Sequence, residues 1–247
     1  MNFFSLFKRK ILYKIKKKIN IDLDGINKDT LDELLHYYGS DKANIFKKKQ
    51  DQGHGFSGFY TQHLKHLKQR EIKILEIGSF AGASAAAFSK YFNKSNIYCF
   101  DINISNFIYS SKNIHVYGLD INNEDEVKKI LKKIDLESNS SFFDIIIDDG
   151  SHYLSDILFS LKTLFRYVKK GGIYIIEDFK HPNYYDYNRN IDHVLVDQVL
   201  RNLKEKKLFN SNIINNDDQV YLHNNINEIK IYKGNLKDSD ICFIEKI

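Results

Sequence analysis

Phe143-Asp144-Ile145-Ile146-Ile147-Asp148-Asp149-Gly150-Ser151-His152 is an aliphatic run that ends abruptly in two acids, a glycine and a histidine. A run of that shape reads as a buried parallel strand emerging into a site. Gly171-Gly172-Ile173-Tyr174-Ile175-Ile176-Glu177-Asp178 repeats it: a turn, an apolar strand, then two acids. Between the two, Leu154, Ile157, Leu158, Leu161, Leu164, Phe165 and Val168 fall at helical spacing. The whole stretch therefore reads as strand, crossover helix and parallel strand. Adjacent strands lie roughly 5 Å apart, so two pairs of acids would converge at one sheet edge beside His152. Carboxylates that close repel one another unless a cation or protons compensate, which makes this edge a candidate metal site. Acids at strand ends also cap helices. Asp149 or Ser151 could cap the helix near Tyr153, and Asp156 suits its dipole, but the joint pattern favours a site.

Outward from this unit, the alternation of strand and helix is regular from residue 72 onward. Strands are expected at 72–79, 96–102 and 113–119, with helices at 81–92, 123–134 and 191–206. A Tyr-rich loop spans 179–190, and two alternating strands, 228–233 and 240–246, read as a closing hairpin. The expected fold is α/β and Rossmann-like: a mostly parallel seven-stranded sheet with a C-terminal antiparallel hairpin and helices on both faces. Three parts are expected: a basic segment at 1–20, a helical lead-in at 21–70 that covers the site, and the main domain at 71–247.

The first strand enters its helix through Leu75-Glu76-Ile77-Gly78-Ser79-Phe80-Ala81-Gly82-Ala83-Ser84. Glycines permit close backbone approach to a ligand, and a helix N-terminus offers free N–H groups. Asp101, at the end of the second strand, can accept hydrogen bonds from ribose hydroxyls, as a nucleoside-containing cofactor requires. The spacing lacks the middle glycine of the dinucleotide fingerprint. That weighs against a nicotinamide oxidoreductase on the same sheet.

These residues together resemble a class I S-adenosylmethionine-dependent methyltransferase. More narrowly, Tyr38-Gly39-Ser40-Asp41-Lys42, His54-Gly55-Phe56-Ser57, Asp148-Asp149-Gly150-Ser151-His152 and Glu177-Asp178 resemble the metal-dependent sugar O-methyltransferases of macrolide and surface-glycan biosynthesis. The likeness runs from about Leu31 to the end. It implies S-adenosyl-L-methionine as cofactor, at Glu76, Gly78, Ser79, Gly82, Ser84, Asp101, Asp120 and Asp148. It implies Mg2+ or another divalent cation at Asp149, Glu177 and Asp178, with His152 as general base and Asp149 shared with the catalytic set. A carbohydrate or glycoconjugate is the expected acceptor, with contacts at His54, Tyr60, His181, Tyr184 and Tyr185. The chemistry agrees: a metal activates a poorly nucleophilic hydroxyl, imidazoles titrate near working pH, and in-line positioning does most of the rest. Methylation of a non-sugar hydroxyl or of a phosphoryl substituent on a glycan fits the same site. A catalytically silent scaffold does not explain the intact set of acids and histidine.

Composition narrows the remaining classes. The chain has 247 residues, 43% hydrophobic, with one proline and two cysteines, Cys99 and Cys242, both in expected strands. No disulfide framework or CxxC pattern is present, which fits a reducing cytoplasm. The net charge of +5 comes from the N-terminus. Residues 1–20 hold seven Lys or Arg and no acid, leaving 30 basic and 32 acidic side chains elsewhere. Nucleic acid is therefore not an expected partner. In the same segment Phe4, Phe7, Ile11, Ile15 and Ile19 recur at helical spacing. That suits a helix on an anionic membrane surface, at the inner face of the membrane; a solvated basic tail fits equally. A homo-oligomer is compatible with everything above.

Overall fold

The structure, a computed structural model, describes residues 3–48, 51–138, 140 and 142–247. One seven-stranded sheet organises it: β1 (Ile72–Ile77), β2 (Ser95–Asp101), β3 (Ile114–Gly118), β4 (Phe143–Asp148), β5 (Val168–Glu177), β6 (Ile226–Lys233) and β7 (Asp240–Lys246). Their order across the sheet is β3-β2-β1-β4-β5-β7-β6, with β7 antiparallel to both its neighbours and every other pairing parallel. The chain order reverses between β1 and β4, and the carboxyl ends of strands flanking such a switch point form a crevice.

Buried aliphatics alternate along the strands, so each face has its own core. One face carries Leu75, Ile77, Phe100, Ile146, Tyr174 and Ile176 under α5 (Glu124–Ser138), α6 (Leu154–Leu164), α7 (Val196–Lys204) and α8 (Asn216–Asn225). The other carries Ile74, Ile97, Ile145, Ile147 and Ile175 under α2 (Leu31–Tyr38), α3 (Ser57–Leu64) and α4 (Ala83–Tyr91). In α4, Ala85, Ala86 and Ala87 are fully buried, and these small side chains let that helix lie close to the sheet. A first helix, α1 (Phe3–Ile15), packs beside β3.

Several boundaries differ from the sequence expectation. The turn expected at Gly171-Gly172 lies inside β5, where Gly171 takes a left-handed φ of 73° at an irregularity in the β4–β5 register. Helix α7 runs only from Val196 to Lys204, and the expected loop before it contains two short 3-10 turns, His181–Tyr184 and Asp186–Asn190. Helix α8 was not expected, and neither were the two-residue ribbons pairing Ile45–Phe46 with Asp51–Gln52 and Ile19–Asn20 with Tyr109–Ser110.

Candidate active site

Strand pairing brings the acid-bearing ends together. Ile77 of β1 is paired with Asp148 of β4, Asp148 with Ile176 of β5, and the Asp149 N–H donates to the Ile77 carbonyl at 3.0 Å. The turn after β1 closes on this edge. Gly78 has φ 82°, and a Cβ there would come within 2.0 Å of the Asp149 carbonyl oxygen. Its missing side chain therefore lets the two loops touch, in addition to any ligand approach. Gly82, with φ 80°, caps α4 and faces the Phe107 ring.

A cavity of about 420 Å³ opens at this edge. Gly78, Ser79, Ser84, Asp101, Asp120, Asp149 and His152 all line it, as do Ser40, Phe80 and Ile121, which the sequence did not single out. Asp101 accepts from the Phe80 N–H at 2.7 Å and the Asn103 N–H at 2.5 Å. Burial raises its pKa against those donors and Arg9. Phe80, with φ 43°, and His152, with φ 58°, sit in the left-handed region that costs a non-glycine residue about 1 kcal/mol or more.

Three expected cofactor contacts lie elsewhere. Glu76 points to the opposite side of β1 from Ile77 and is fully buried beneath the cavity, where the Ser84 and Ser79 hydroxyls approach its carboxylate without a hydrogen bond of good geometry. Gly82 is a helix cap outside the lining. Asp148 faces the α6 side of the sheet, where it accepts from the Tyr174 hydroxyl at 3.3 Å. Burial, with the nearby Asp149 charge adding, pushes it up to about 7.

Lys42, to which the sequence assigns no role, is central to the site. The loop that delivers it follows α2, whose capping box (Thr30 with Glu33) fixes its start and whose left-handed Gly39 stops it. The Lys42 carbonyl accepts from the N–H groups of Phe56, at 2.9 Å, and Ser57, at 3.2 Å. The side chain, 2% exposed, places Nζ against Asp149 Oδ2 and at 2.6 Å from Glu177 Oε2. Burial alone would lower its pKa; Asp149, Glu177, Glu76 and Asp41 outweigh it and hold the ammonium charged well above its ordinary range. Burial in turn pushes Glu177 up, against Lys42, and raises Asp149, against Lys42 and His152. The carboxylates outnumber the one ammonium, so the cluster is short of positive charge.

Asp149 and Asp178 of the expected metal set are brought together with His152. Ligand atoms of Asp149, His152 and Asp178 lie within 4.8 Å of one another, with His152 Nε2 at 3.6 Å from Asp149 Oδ1. Glu177 has both oxygens engaged, one by Lys42 and the other by the Tyr60 hydroxyl. A divalent cation fits this group. The carboxylate oxygens of Asp149 and Asp178 suit a hard ion, the local charge is acidic, and the buried Asp178 Oδ1 makes no hydrogen bond of good geometry. His54 Nδ1 approaches that oxygen at 3.3 Å. Burial lowers the His54 pKa, but Asp178 more than reverses it. Tyr60, expected to touch the acceptor, is instead fully buried under Glu177. His181 lies 5.8 Å from His152 and 5.1 Å from Tyr185, ring centre to ring centre, and Tyr184, Tyr185 and Tyr187 are exposed beside it.

This strand order, with its cavity at the switch point, defines a Rossmann-like methyltransferase fold. Residues 75–179 match the sequence profile of a methyltransferase domain family. Mycinamicin VI 2''-O-methyltransferase of Micromonospora griseorubida is 28% identical over 161 residues, covering 62% of this chain and 37% of that protein. L-olivosyl-oleandolide 3-O-methyltransferase of Streptomyces antibioticus is 30% identical over 168 residues, covering 64% and 40%. The chain thus spans about two-fifths of the length of these curated relatives. Among solved structures, the MycE methyltransferase of mycinamycin biosynthesis, in complex with Mg and SAH, superposes with a TM-score of 0.66. It is 24% identical, over 89% of this chain and 55% of that one. No helix of the described residues is long and apolar enough to cross a membrane.

Proposed function

We propose that the protein is an S-adenosylmethionine-dependent, divalent-metal-dependent O-methyltransferase acting on a sugar hydroxyl of a surface glycan or glycosylated metabolite. The observation that carries this reading is the convergence of Asp149, His152 and Asp178 at one end of the cavity that Gly78, Asp101 and Asp120 line. The name of the Streptomyces antibioticus relative gives it a glycosylated substrate, an olivosyl-oleandolide, which supports the acceptor class. When bound, S-adenosylmethionine would supply an activated methyl group, and a divalent ion held by Asp149 and Asp178 would supply the positive charge that acidifies a hydroxyl.

The chain's own residues divide the remaining work. His152 Nε2 takes the proton of the acceptor hydroxyl, with Asp149 Oδ1 at 3.6 Å to stabilise the imidazolium that results. Glu177 stays tied to Lys42 and Tyr60 and holds the Asp149 side of the site in place through their shared ammonium. Asp101 keeps its carboxylate aimed into the cavity through two backbone N–H donors. Tyr184, Tyr185 and Tyr187 offer exposed rings on which a sugar ring can stack.

Calorimetry with S-adenosylhomocysteine and NAD, with and without EDTA, tests the cofactor and metal assignments. Turnover assays on a panel of glycosides and nucleotide sugars test the acceptor. S-adenosylhomocysteine should bind and NAD should not; EDTA should spare that binding yet abolish methyl transfer. His152→Ala should bind the cofactor normally and lose on the order of 10²–10⁴-fold in rate. Full turnover in excess EDTA, or normal turnover by His152→Ala, would remove the metal or the base from the mechanism.

A further inference from the structure

Helix α1 is mounted inside out. Arg9, Lys10 and Tyr13 lie on its inward side: Arg9 Nη1 donates to the Ile102 carbonyl at 3.0 Å, Lys10 Nζ reaches Glu126 at 3.3 Å, and the Tyr13 ring meets Phe107 edge-on. Just past its end, Lys16 Nζ donates to the Ser105 carbonyl at 2.8 Å. The outward side carries Phe7, Ile11, Leu12 and Ile15, which are 55%, 45%, 40% and 74% exposed. A helix that packs on a globular core normally buries its apolar stripe and exposes its charges. Here charged and tyrosyl groups clamp the helix to the body, and the apolar stripe faces out. Exposed Lys8, Lys14 and Lys17 border the stripe, and Ile19 and Leu23, 54% and 84% exposed, extend it.

We infer that α1 is a docking helix for an anionic lipid surface. A 13-residue helix is only about 20 Å long, so it lies in the interface rather than crossing it. The occupant is chosen by charge. An anionic bilayer accepts the apolar side chains among its acyl chains and pairs its headgroups with the bordering lysines. A second copy of the helix on the same stripe would bring lysine against lysine. The clamp also fixes the orientation. Ile102, which Arg9 holds, lines the cofactor cavity, and Leu6 shares a shallow cleft with Asp120, which lines it too. Docking through α1 therefore sets that side of the cavity next to the membrane, where a lipid-linked or surface-bound acceptor would be presented. This inference does not depend on the chemistry at the cavity.

Co-sedimentation of the full chain with large vesicles tests it, using phosphatidylglycerol-rich and pure phosphatidylcholine vesicles at low and high salt. The wild type should partition onto the phosphatidylglycerol vesicles, less so in high salt, and only weakly onto phosphatidylcholine. Phe7→Gln/Ile11→Gln/Ile15→Gln keeps helix-favouring residues and the inward clamp, and should lower partitioning by roughly tenfold or more. Lys8→Gln/Lys14→Gln/Lys17→Gln should remove the preference for phosphatidylglycerol. Circular dichroism melting checks that each variant folds, and the lysine variant decides the matter should the apolar one not. Wild-type partitioning by the variants would overturn the inference. So would no vesicle binding by the wild type, or a homodimer in sedimentation equilibrium that the apolar substitutions dissociate.

Discussion

Strand β4 ends in Asp148 and Asp149, and strand β5 ends in Glu177 and Asp178; in both, the first acid is buried against the sheet and the second turns toward His152. The two first acids then part company. Asp148 lies on the α6 face with only the Tyr174 hydroxyl and the Gly150 N–H to hold its charge, so burial dominates and its pKa climbs to about 7. Glu177 lies on the α2–α4 face, where Lys42 and Tyr60 occupy its two oxygens. Identical sequence shapes thus acquire different roles from what the opposing layer supplies. One is a buried acid with little compensation, the other a bridge between the cavity edge and a buried ammonium. The second acids are held differently again: Lys42 also takes Asp149 Oδ2, leaving Asp149 Oδ1 beside His152, while Asp178 Oδ1 faces the His54 imidazole at 3.3 Å.

The largest test of this contrast removes the ammonium. Lys42→Met keeps most of the volume but strands Glu177, Asp149 and Glu76 in a buried, uncompensated cluster. Urea unfolding in EDTA should show a loss of about 3–5 kcal/mol, the usual cost of breaking a buried ion pair from one side. Lys42→Met/Glu177→Gln should recover part of it, because the double change takes one stranded charge away. Equal stability of Lys42→Met and wild type would mean that Glu177 and Asp148 are alike after all.

A smaller effect is expected at Asp148, and its sign depends on pH. Folding raises this pKa from its ordinary 3.8 to about 7. As pH rises, the unfolded chain releases the proton first. The native state is therefore unpenalised below about pH 4, loses stability between about 4 and 7, and changes no further above that. At about 1.4 kcal/mol per pKa unit the loss amounts to a few kcal/mol. Asp148→Asn cannot ionise and should lack this slope. Its unfolding free energy relative to wild type should grow from about pH 4 to about pH 8. A constant difference across that range would show that burial leaves the Asp148 carboxyl unshifted.

Much of this architecture can be read in the sequence because aliphatic runs end where the sheet ends. The strands, the paired acids, Asp101 and the convergence on His152 all follow from local pattern. What escaped has no local signature. Lys42 is one lysine among many in a polar loop, and only the fold carries it across 107 positions to Asp149. Tyr60 is expected at the acceptor, and only the fold shows its hydroxyl turned to Glu177. Helix α8 begins Asn216-Asp217-Asp218, a poor helical sequence with no apolar stripe. It is held by its Asn215 cap and by buried Gln219, which bonds the backbones of Phe209 and Ile214. Asp148 and Asp149 are adjacent in sequence, and only the strand's alternation assigns them to different faces.

The finest test compares the two tyrosines, since each donates its hydroxyl to one of the contrasted acids. Tyr60→Phe leaves the ring packed against Phe88 and Phe243 but deprives Glu177 Oε1 of its donor. That oxygen is fully enclosed, so leaving it without its donor costs about 1–3 kcal/mol. Tyr174→Phe likewise keeps its contact with Phe165, but the bond it removes is 3.3 Å long. A long bond to an acid that burial already holds partly protonated contributes about 1 kcal/mol or less. Urea unfolding of the two variants at neutral pH should therefore rank Tyr60→Phe as the costlier. The gap should shrink when Lys42→Met is placed beneath both, because Tyr60 and Lys42 share the work of holding Glu177. Were the two tyrosines to cost the same in the wild-type background, the asymmetry between the strand ends would rest on Lys42 alone.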